Sequence, residues 1–268
     1  MVSCTAPVEG IIGAYTGNSF VVQAAIASIF GCAIYSAVEL IILVFYIFHF
    51  YRGLYFWSLL LSALLGVIPY ALGLILKYFK IGPIWIPVTL STAGWCIMVT
   101  GQSLVLYSRL DLVVLNQTVL RLVLGMIIVD AVILQIPQVI ASFGAVFACQ
   151  VRFGRFFNNW EKVQLTAFFV QEVTISGIFI TQAIKLLRLY PTHSQRRNNL
   201  MYQLLAINLL IIMMDVSLLV LEFLGKFITQ TVLKCFFYTV KLKLEIAVLS
   251  RLTSFVRTHL ERDPSGMN

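Results

Sequence analysis

The stretch from Lys234 to Leu252, KCFFYTVKLKLEIAVLSRL, is apolar enough to span a bilayer, yet it carries Lys241, Lys243 and Glu245 near its middle. Each charged side chain at the centre of a membrane helix costs about 2.5–3.5 kcal/mol, so these three must face protein or water. At about 100° per residue, Lys241 and Glu245 share a face of the helix, whereas Lys243 points away. The sequence therefore predicts a helix inside a bundle, with polar contacts in two directions.

The composition of the whole chain points to the same environment. Of its 268 residues, 60% are hydrophobic and 11% are charged, and the mean hydropathy is +0.94. An ordinary soluble domain contains about 25% charged residues, so this is predicted to be an integral membrane protein. The net charge is +8, and the basic residues that produce it lie mostly at the ends of apolar segments, where they set the orientation of the protein in the membrane. We therefore expect the lipid bilayer as a partner, no nucleic acid and no cofactor, and the oligomeric state is left open.

Seven apolar segments have the length of about 20 residues that a bilayer requires. They lie at approximately 22–48, 54–76, 84–107, 121–143, 163–187, 200–224 and 231–255. Unbroken apolar runs without period-two alternation favour helices over membrane strands. The predicted fold is all-α, a single seven-helix membrane domain over residues 1–268.

The positive charges predict the orientation of this bundle. Arg52 is the first Lys or Arg in the chain, which favours an N-terminus outside and, with seven spans, a cytosolic C-terminus. No cleavable signal peptide is recognised, and a short disordered tail is expected over 257–268. We expect a multi-pass protein of the plasma membrane or another secretory-pathway membrane. A disulfide between Cys4 and Cys149, both toward the predicted outer face, is left open.

Three local patterns carry further expectations. Gly66, Pro69 and Gly73 should allow the second helix to kink and to approach a neighbour closely. Arg109, at the inner end of the third helix, is interpreted as snorkelling to the interface beside Asp111. The aromatic and basic segment 151–162 is predicted to lie on the outer leaflet.

Ionisable residues inside the predicted spans form the candidate ligand site or polar cluster. They are Glu39, Asp130, Glu172, Asp215, Glu245, Lys241 and Lys243. The acids outnumber the bases, so some carboxyl groups must be protonated, hydrated or paired with a cation. At about 1.5 Å per residue, Glu172, Asp215 and Lys241 lie at similar depth, whereas Glu39, Asp130 and Glu245 lie nearer the inner face. We predict that Lys241 pairs with Glu172 or Asp215 and that Glu245 is held by an inner-half partner. The alternative is a local Lys241–Glu245 pair.

Several stretches together resemble a known family. They are YRGLYFWSLL (51–60), IPYALG (68–73), GQSLVLYSRL (101–110), QEVTISG (171–177), MYQLLAINLLIIMMDVSLL (201–219) and YTVKLKLEIAVL (238–249). The chain resembles a family of fungal seven-helix integral membrane proteins catalogued as a domain of unknown function. The resemblance implies a fungal origin and a seven-helix fold, but it supplies no activity or site residue. The family pattern has a histidine after YSRL and another before the IP of helix 4, where this chain has Asp111 and Gln135.

The sequence supports two functional hypotheses. The first is a receptor-like or sensor protein that binds an unknown small ligand, based on helix number, orientation and small soluble parts. The second is a proton- or ion-coupled small-molecule transporter, based on the excess of intramembrane carboxyl groups. An enzyme is not expected, because the three histidines, His49, His193 and His259, lie on three different segments and no metal site is recognised. Retinal attachment to Lys241 or Lys243 is a further, weaker alternative.

Asn116-Gln117-Thr118 is a formal glycosylation sequon that tests the orientation. The predicted topology places it in the cytosol, so Asn116 should remain unmodified. Mass spectrometry of protein from the native host, with and without glycosidase, measures this. A glycan on Asn116 would reverse the orientation.

Overall fold

The computed structural model describes residues 20–47, 53–111, 113–114, 116–148, 150–189, 194–225 and 227–260. Within these residues the chain is all-α and forms seven helices. They are α1 (Phe20–Ile47), α2 (Leu54–Tyr78), α3 (Trp85–Asp111), α4 (Gln117–Phe147), α5 (Gln150–Leu189), α6 (Ser194–Phe223) and α7 (Phe227–Leu260). The all-α prediction is therefore confirmed for the described part of the chain.

Six helices of the described chain are long and apolar enough to cross a membrane. These segments are Phe20–Ile47, Leu54–Tyr78, Trp85–Asp111, Gln117–Phe147, Phe153–Lys185 and Tyr202–Phe223. A polytopic membrane protein is thereby supported. Helix α7 is also long, but it carries Lys234, Lys241, Lys243 and Glu245 and stands apart from these six in composition.

Two predicted boundaries differ from the structure. The segment 151–162 does not form a separate interfacial element, because α5 is continuous from Gln150. Its aromatic side chains recur at helical spacing and pack on the bundle: Phe156 stacks on Trp160, and the Trp160 indole donates to the Leu134 carbonyl at 3.0 Å. Helix α7 continues to Leu260, so the predicted start of the tail at 257 falls within it.

Some predictions fall on positions that the structure does not describe. Residues 261–268 of the predicted tail lie outside the described residues, as do Cys4 and Cys149 of the possible disulfide and the histidine His49.

Helices α2 and α3 pack through a seam of glycines. A Cβ atom on Gly73 would lie 2.5 Å from the Ser91 nitrogen, and one on Gly94 would lie 2.5 Å from the Tyr70 nitrogen. Such distances mean that the two backbones nearly touch, as small residues allow in membrane helices. The π-helical turn Ser62–Val67 precedes Pro69 in α2. The close approach predicted from Gly66 and Gly73 is therefore present.

Helix α7 lies against the interior of the bundle. Among the described helices it packs closely on α1, α2, α3 and α6. Its side chains at positions 234, 238, 241 and 245 recur every three or four residues, and all four are buried. Helix α7 therefore presents a polar stripe to the interior, as a helix with one face toward its neighbours does.

The glycine seam generates a test of α2–α3 packing. Gly94→Ala should destabilise the protein by about 1–3 kcal/mol, because the new methyl group meets the Tyr70 backbone, which cannot rotate away. Gly125→Ala is the matched control, since a Cβ atom there meets nothing within 4 Å. Thermal unfolding in detergent compares the two variants. Equal stability of both would contradict the close contact.

Candidate functional site

The interior stripe of α7 holds three charged groups at three depths. From Lys234 to Lys241 is about 10 Å along the helix axis, and from Lys241 to Glu245 about 6 Å. All three side chains are almost fully buried, with Lys241 and Glu245 at 0% exposure. A buried charge must be paired, so the partners of these groups define how the bundle is assembled.

Lys241 lies between two carboxyl groups, and these three side chains are named the central triad. Its Nζ atom lies 3.0 Å and 3.2 Å from the two carboxyl oxygens of Glu172 on α5, and it also donates to Asp215 Oδ1 on α6. The two carboxyl groups are close enough to interact directly. The Tyr238 ring lies 5.0 Å from the same ammonium group. One cation thus joins three helices.

The predicted snorkelling of Arg109 is wrong. The side chain is fully buried on α3, and its Nη1 atom lies 2.7 Å from Glu245 Oε2 on α7. Its Nη2 atom donates to Asn208 Oδ1 on α6 at 2.9 Å, and the Phe179 ring of α5 covers the guanidinium at 4.1 Å. Arginine suits such a site because its planar group donates in several directions and stacks on aromatic rings. We name Arg109 and Glu245 the Arg109 pair.

A second pair was not predicted from the sequence. The side chain of Lys234 is 2% exposed, and its Nζ atom lies 2.5 Å from Glu161 Oε1 on α5. The ammonium also lies 4.5 Å from the centroid of the Trp95 ring on α3. We name Lys234 and Glu161 the cavity pair, because they line the cavity described next.

A cavity of about 80 Å³ opens beside the cavity pair, at the end of the bundle predicted to face outward. Its polar wall includes Lys77 of α2, Gln138 of α4, Glu161 and Lys234. Such a volume accommodates several waters or a small molecule, since one water needs about 10–15 Å³ by this measure.

The cavity wall contains polar atoms with unmet hydrogen-bonding capacity. Glu161 is 5% exposed and Gln138 is 4% exposed. Within the described part of the chain, Glu161 Oε2 and Gln138 Oε1 have no hydrogen-bond partner. Buried acceptors of this kind are costly when unsatisfied, and both belong to residues of the cavity wall.

An aromatic contact links the cavity to the central triad. The Trp95 ring, which faces Lys234, lies 5.8 Å from the Tyr238 ring in an edge-on arrangement. Tyr238 in turn faces the ammonium of Lys241. The cavity pair and the central triad are therefore connected by packed side chains.

The remaining candidate residues lie at the edge of the bundle. Lys243 pairs with Glu39 of α1 at 2.5 Å, and their side chains are 28% and 54% exposed. Asp130 is half-buried in an open cleft between α4, α5 and α6, and it has no ion pair among the described residues. The sequence predicted a similar depth for Glu39, Asp130 and Glu245. In the structure Glu39 is in a partly exposed ion pair, Asp130 lines an open cleft, and Glu245 is buried against Arg109.

The sequence predicted part of this arrangement. The contacts of Lys241 with Glu172 and Asp215 are both present, and Glu245 has a partner in the predicted inner half instead of the local Lys241 alternative. The cavity pair and the burial of Arg109 were missed. A depth comparison of Arg109 with Glu245 is the signal that could have paired them, because Arg109 lies at the predicted inner end of its helix and Glu245 was predicted to lie nearer the inner face. The role of these residues in ligand binding stays a prediction.

Comparison with known proteins gives one match. A family model described as a domain of unknown function, DUF7703, matches residues 14–262. No curated protein and no solved structure matches the chain.

The central triad generates a test by mutation. Lys241→Met should be more destabilising than the double variants Lys241→Met/Glu172→Gln and Lys241→Met/Asp215→Asn, because the single change strands two buried carboxyl groups. Breaking a buried pair costs about 3–5 kcal/mol in soluble proteins, and membrane couplings are smaller, so we expect each second change to restore about 1–2 kcal/mol. A double-mutant cycle on stability in detergent measures the coupling.

Lys243→Met is the matched control for this cycle. It removes a lysine two residues away on the same helix, but from a pair that is partly exposed. The loss of stability should be smaller than for Lys241→Met. Simple additivity in both double variants would show that neither acid is coupled to Lys241.

Proposed function

We propose that this chain, which belongs to the DUF7703 family of unknown function, is a receptor-like or sensor protein with seven membrane helices. The observation that carries the proposal is the small polar cavity at one end of the bundle, whose wall includes an ion pair of the interior helix α7. A ligand in this cavity would act directly on the contacts that hold α7.

Seven crossings and an outside N-terminus are part of this proposal. Six described segments are apolar enough to cross on their own. Helix α7 is 34 residues long, and its charged side chains at 234, 241, 243 and 245 have ion-pair partners on other helices. Paired charges can reside in a membrane bundle, so α7 is counted as the seventh crossing. The N-terminus, which has no Lys or Arg before Arg52, then lies outside, and the cavity opens to the same side.

The proposed mechanism is a competition at the cavity pair. A ligand that binds the ammonium of Lys234 or the carboxyl group of Glu161 weakens the bond between α7 and α5. Helix α5 is not among the helices that pack closely on α7, and the long side chains of Lys234 and Lys241 contact it. A ligand shifts a conformational equilibrium by its difference in affinity for the two states. Here the two states differ in whether Lys234 contacts Glu161.

The contact of Glu245 with Arg109, deeper in the bundle than the cavity, is the proposed point of readout. Trp95 and Tyr238 connect Lys234 to Lys241, and Glu245 follows one helical turn later in the Arg109 pair. A small displacement of α7 would change the contact of Glu245 with Arg109, and thereby the packing of α3 and α6 near the predicted cytosolic face. Packed contacts with two discrete arrangements are the physical carriers of such coupling.

A proton-coupled carrier is the second candidate, favoured by the central triad. Two carboxyl groups share one lysine there, so the triad can take up a proton more readily than an isolated pair. Reconstituted liposomes carrying an internal pH indicator test this function. Proton movement with substrate that is lost in Asp215→Asn supports a carrier, whereas the absence of any flux removes it.

The receptor-like function is tested by thermal stabilisation of the detergent-solubilised protein with a library of small acids, amines and sugars. A compound that binds the folded state raises the melting temperature as its concentration exceeds the Kd. We expect at least one compound to stabilise the protein, with the effect lost in Lys234→Met and kept in Lys243→Met. The proposal is contradicted if no compound in the library raises the melting temperature of the unmodified protein and loses this effect in Lys234→Met.

A further inference from the structure

We propose that the central triad holds one proton in the folded protein near neutral pH, shared between the carboxyl groups of Glu172 and Asp215. The ligand of this site is a proton taken up from water, which forms an O–H bond on one of the two carboxyl groups. The inference concerns the protein at rest, so it goes beyond both candidate functions and depends on neither. Three observations support it: the charge balance of the triad, the contact between its two acids and their burial.

The central triad has one positive charge for two carboxyl groups. Lys241 Nζ lies 3.0 Å from Glu172 Oε2 and also donates to Asp215 Oδ1. With both acids ionised, one positive and two negative charges would leave the triad at −1. The exposed fractions are 0% for Lys241, 7% for Glu172 and 8% for Asp215. A charge buried to this extent without a counter-ion is strongly unfavourable, and the binding of one proton removes it.

The ionisable groups around the central triad do not balance this charge. Glu245 is the next acid on α7, and it is already paired with Arg109 of α3. The Tyr238 ring also faces the triad, but a phenol is uncharged near neutral pH. Within the described residues, Glu172 interacts with no charged group besides its two triad partners. The excess negative charge therefore has to be neutralised inside the triad itself.

A direct contact between the two acids shows where the proton lies. The side chains of Glu172 and Asp215 are within hydrogen-bonding reach of each other. An ionised carboxyl group only accepts hydrogen bonds, so two acids cannot form this bond unless one of them is protonated. Both oxygens of Glu172 accept from Lys241, whereas Asp215 Oδ2 has no hydrogen-bond partner in the described part of the chain. Asp215 Oδ2 is thus the oxygen that carries the proton, with Glu172 as the acceptor.

The burial of this oxygen favours a proton over a larger cation. Asp215 Oδ2 is closed to a molecule of the size of water, and a proton needs no such space. Among the side chains that the structure describes, no group of three or more His, Cys, Asp or Glu residues is placed to hold a metal ion. Two acids that share one proton, because both cannot be ionised at short distance, are an established arrangement in proteins.

The shared proton joins α5 to α6. These two helices pack against each other, and Glu172 and Asp215 meet between them. Without the proton, two negative charges would face each other there, and like charges repel strongly where the dielectric constant is low. The proton is therefore part of what holds the two helices together.

Infrared spectroscopy of the detergent-solubilised protein near neutral pH counts this proton, because the C=O stretch of a protonated carboxyl group is separate from the stretches of an ionised one. Asp215→Asn and Glu172→Gln should each remove the signal of one protonated carboxyl group, since the remaining acid forms a one-to-one ionised pair with Lys241. Glu39→Gln is the matched control. It removes the acid of a one-to-one pair with Lys243 and should leave the signal unchanged.

Lys241→Met gives an independent measurement with the opposite sign. Without the lysine both carboxyl groups of the triad must be neutral, so the signal should rise from one protonated group to two. Should this variant not fold, the two amide variants decide the question, because each keeps the shape of the side chain and leaves one ion pair intact.

Three results would overturn the inference. They are an unchanged signal in either amide variant, the loss of more than one protonated group in either, and a folded Lys241→Met protein without the gain. None of these measurements uses a ligand or a flux assay. A failure here is therefore distinct from a failure of the receptor-like function, which is decided by the compound library.

Discussion

A charge buried between helices must have a partner, and helix α7 carries three buried charges on one face and the partly exposed Lys243 on another. Its ion-pair partners lie on α1, α3, α5 and α6. Pairing the charges of α7 therefore fixes the positions of four other helices. Any rotation of α7 by one residue would turn Lys241 or Glu245 away from its partner and leave a buried charge unpaired, which is strongly unfavourable. The register of the bundle follows from this constraint.

The bundle combines two kinds of helix contact that differ in what holds them. The backbones of helices α2 and α3 contact each other at Gly73 and Gly94, where a side chain larger than the hydrogen atom of glycine does not fit. Helices α5 and α7 meet through the long side chains of Lys234 and Lys241. The first contact is rigid because packed backbone cannot reorganise, whereas the second can exchange one partner for another. The cavity lies next to the second kind of contact.

The sequence predicted the helices and the pairing of Lys241 with Glu172 or Asp215, because both depend on simple regularities. Apolar runs set the helices, and the rise per residue placed Glu172, Asp215 and Lys241 at one depth. The cavity pair was missed because Glu161 lies in the segment 151–162, whose aromatic and basic composition is typical of a membrane interface. In the structure this segment belongs to α5, which begins at Gln150, and the Trp160 indole donates to the Leu134 carbonyl. Arg109 was missed because an arginine near a helix end usually reaches water, and nothing in its own helix shows that Glu245 faces it.

Within the described side chains, the ion-pair partners of α7 precede it in the chain, since Glu39, Arg109, Glu161, Glu172 and Asp215 lie on helices that leave the ribosome earlier. Taken alone, α7 is a poor substrate for insertion from the translocon, because its charges oppose partition into lipid. When α7 is synthesised, however, the five partners named above have already been made. The order of the helices along the gene thus allows the most polar one to enter a prepared site, and moving it toward the start of the chain would remove that advantage during biogenesis.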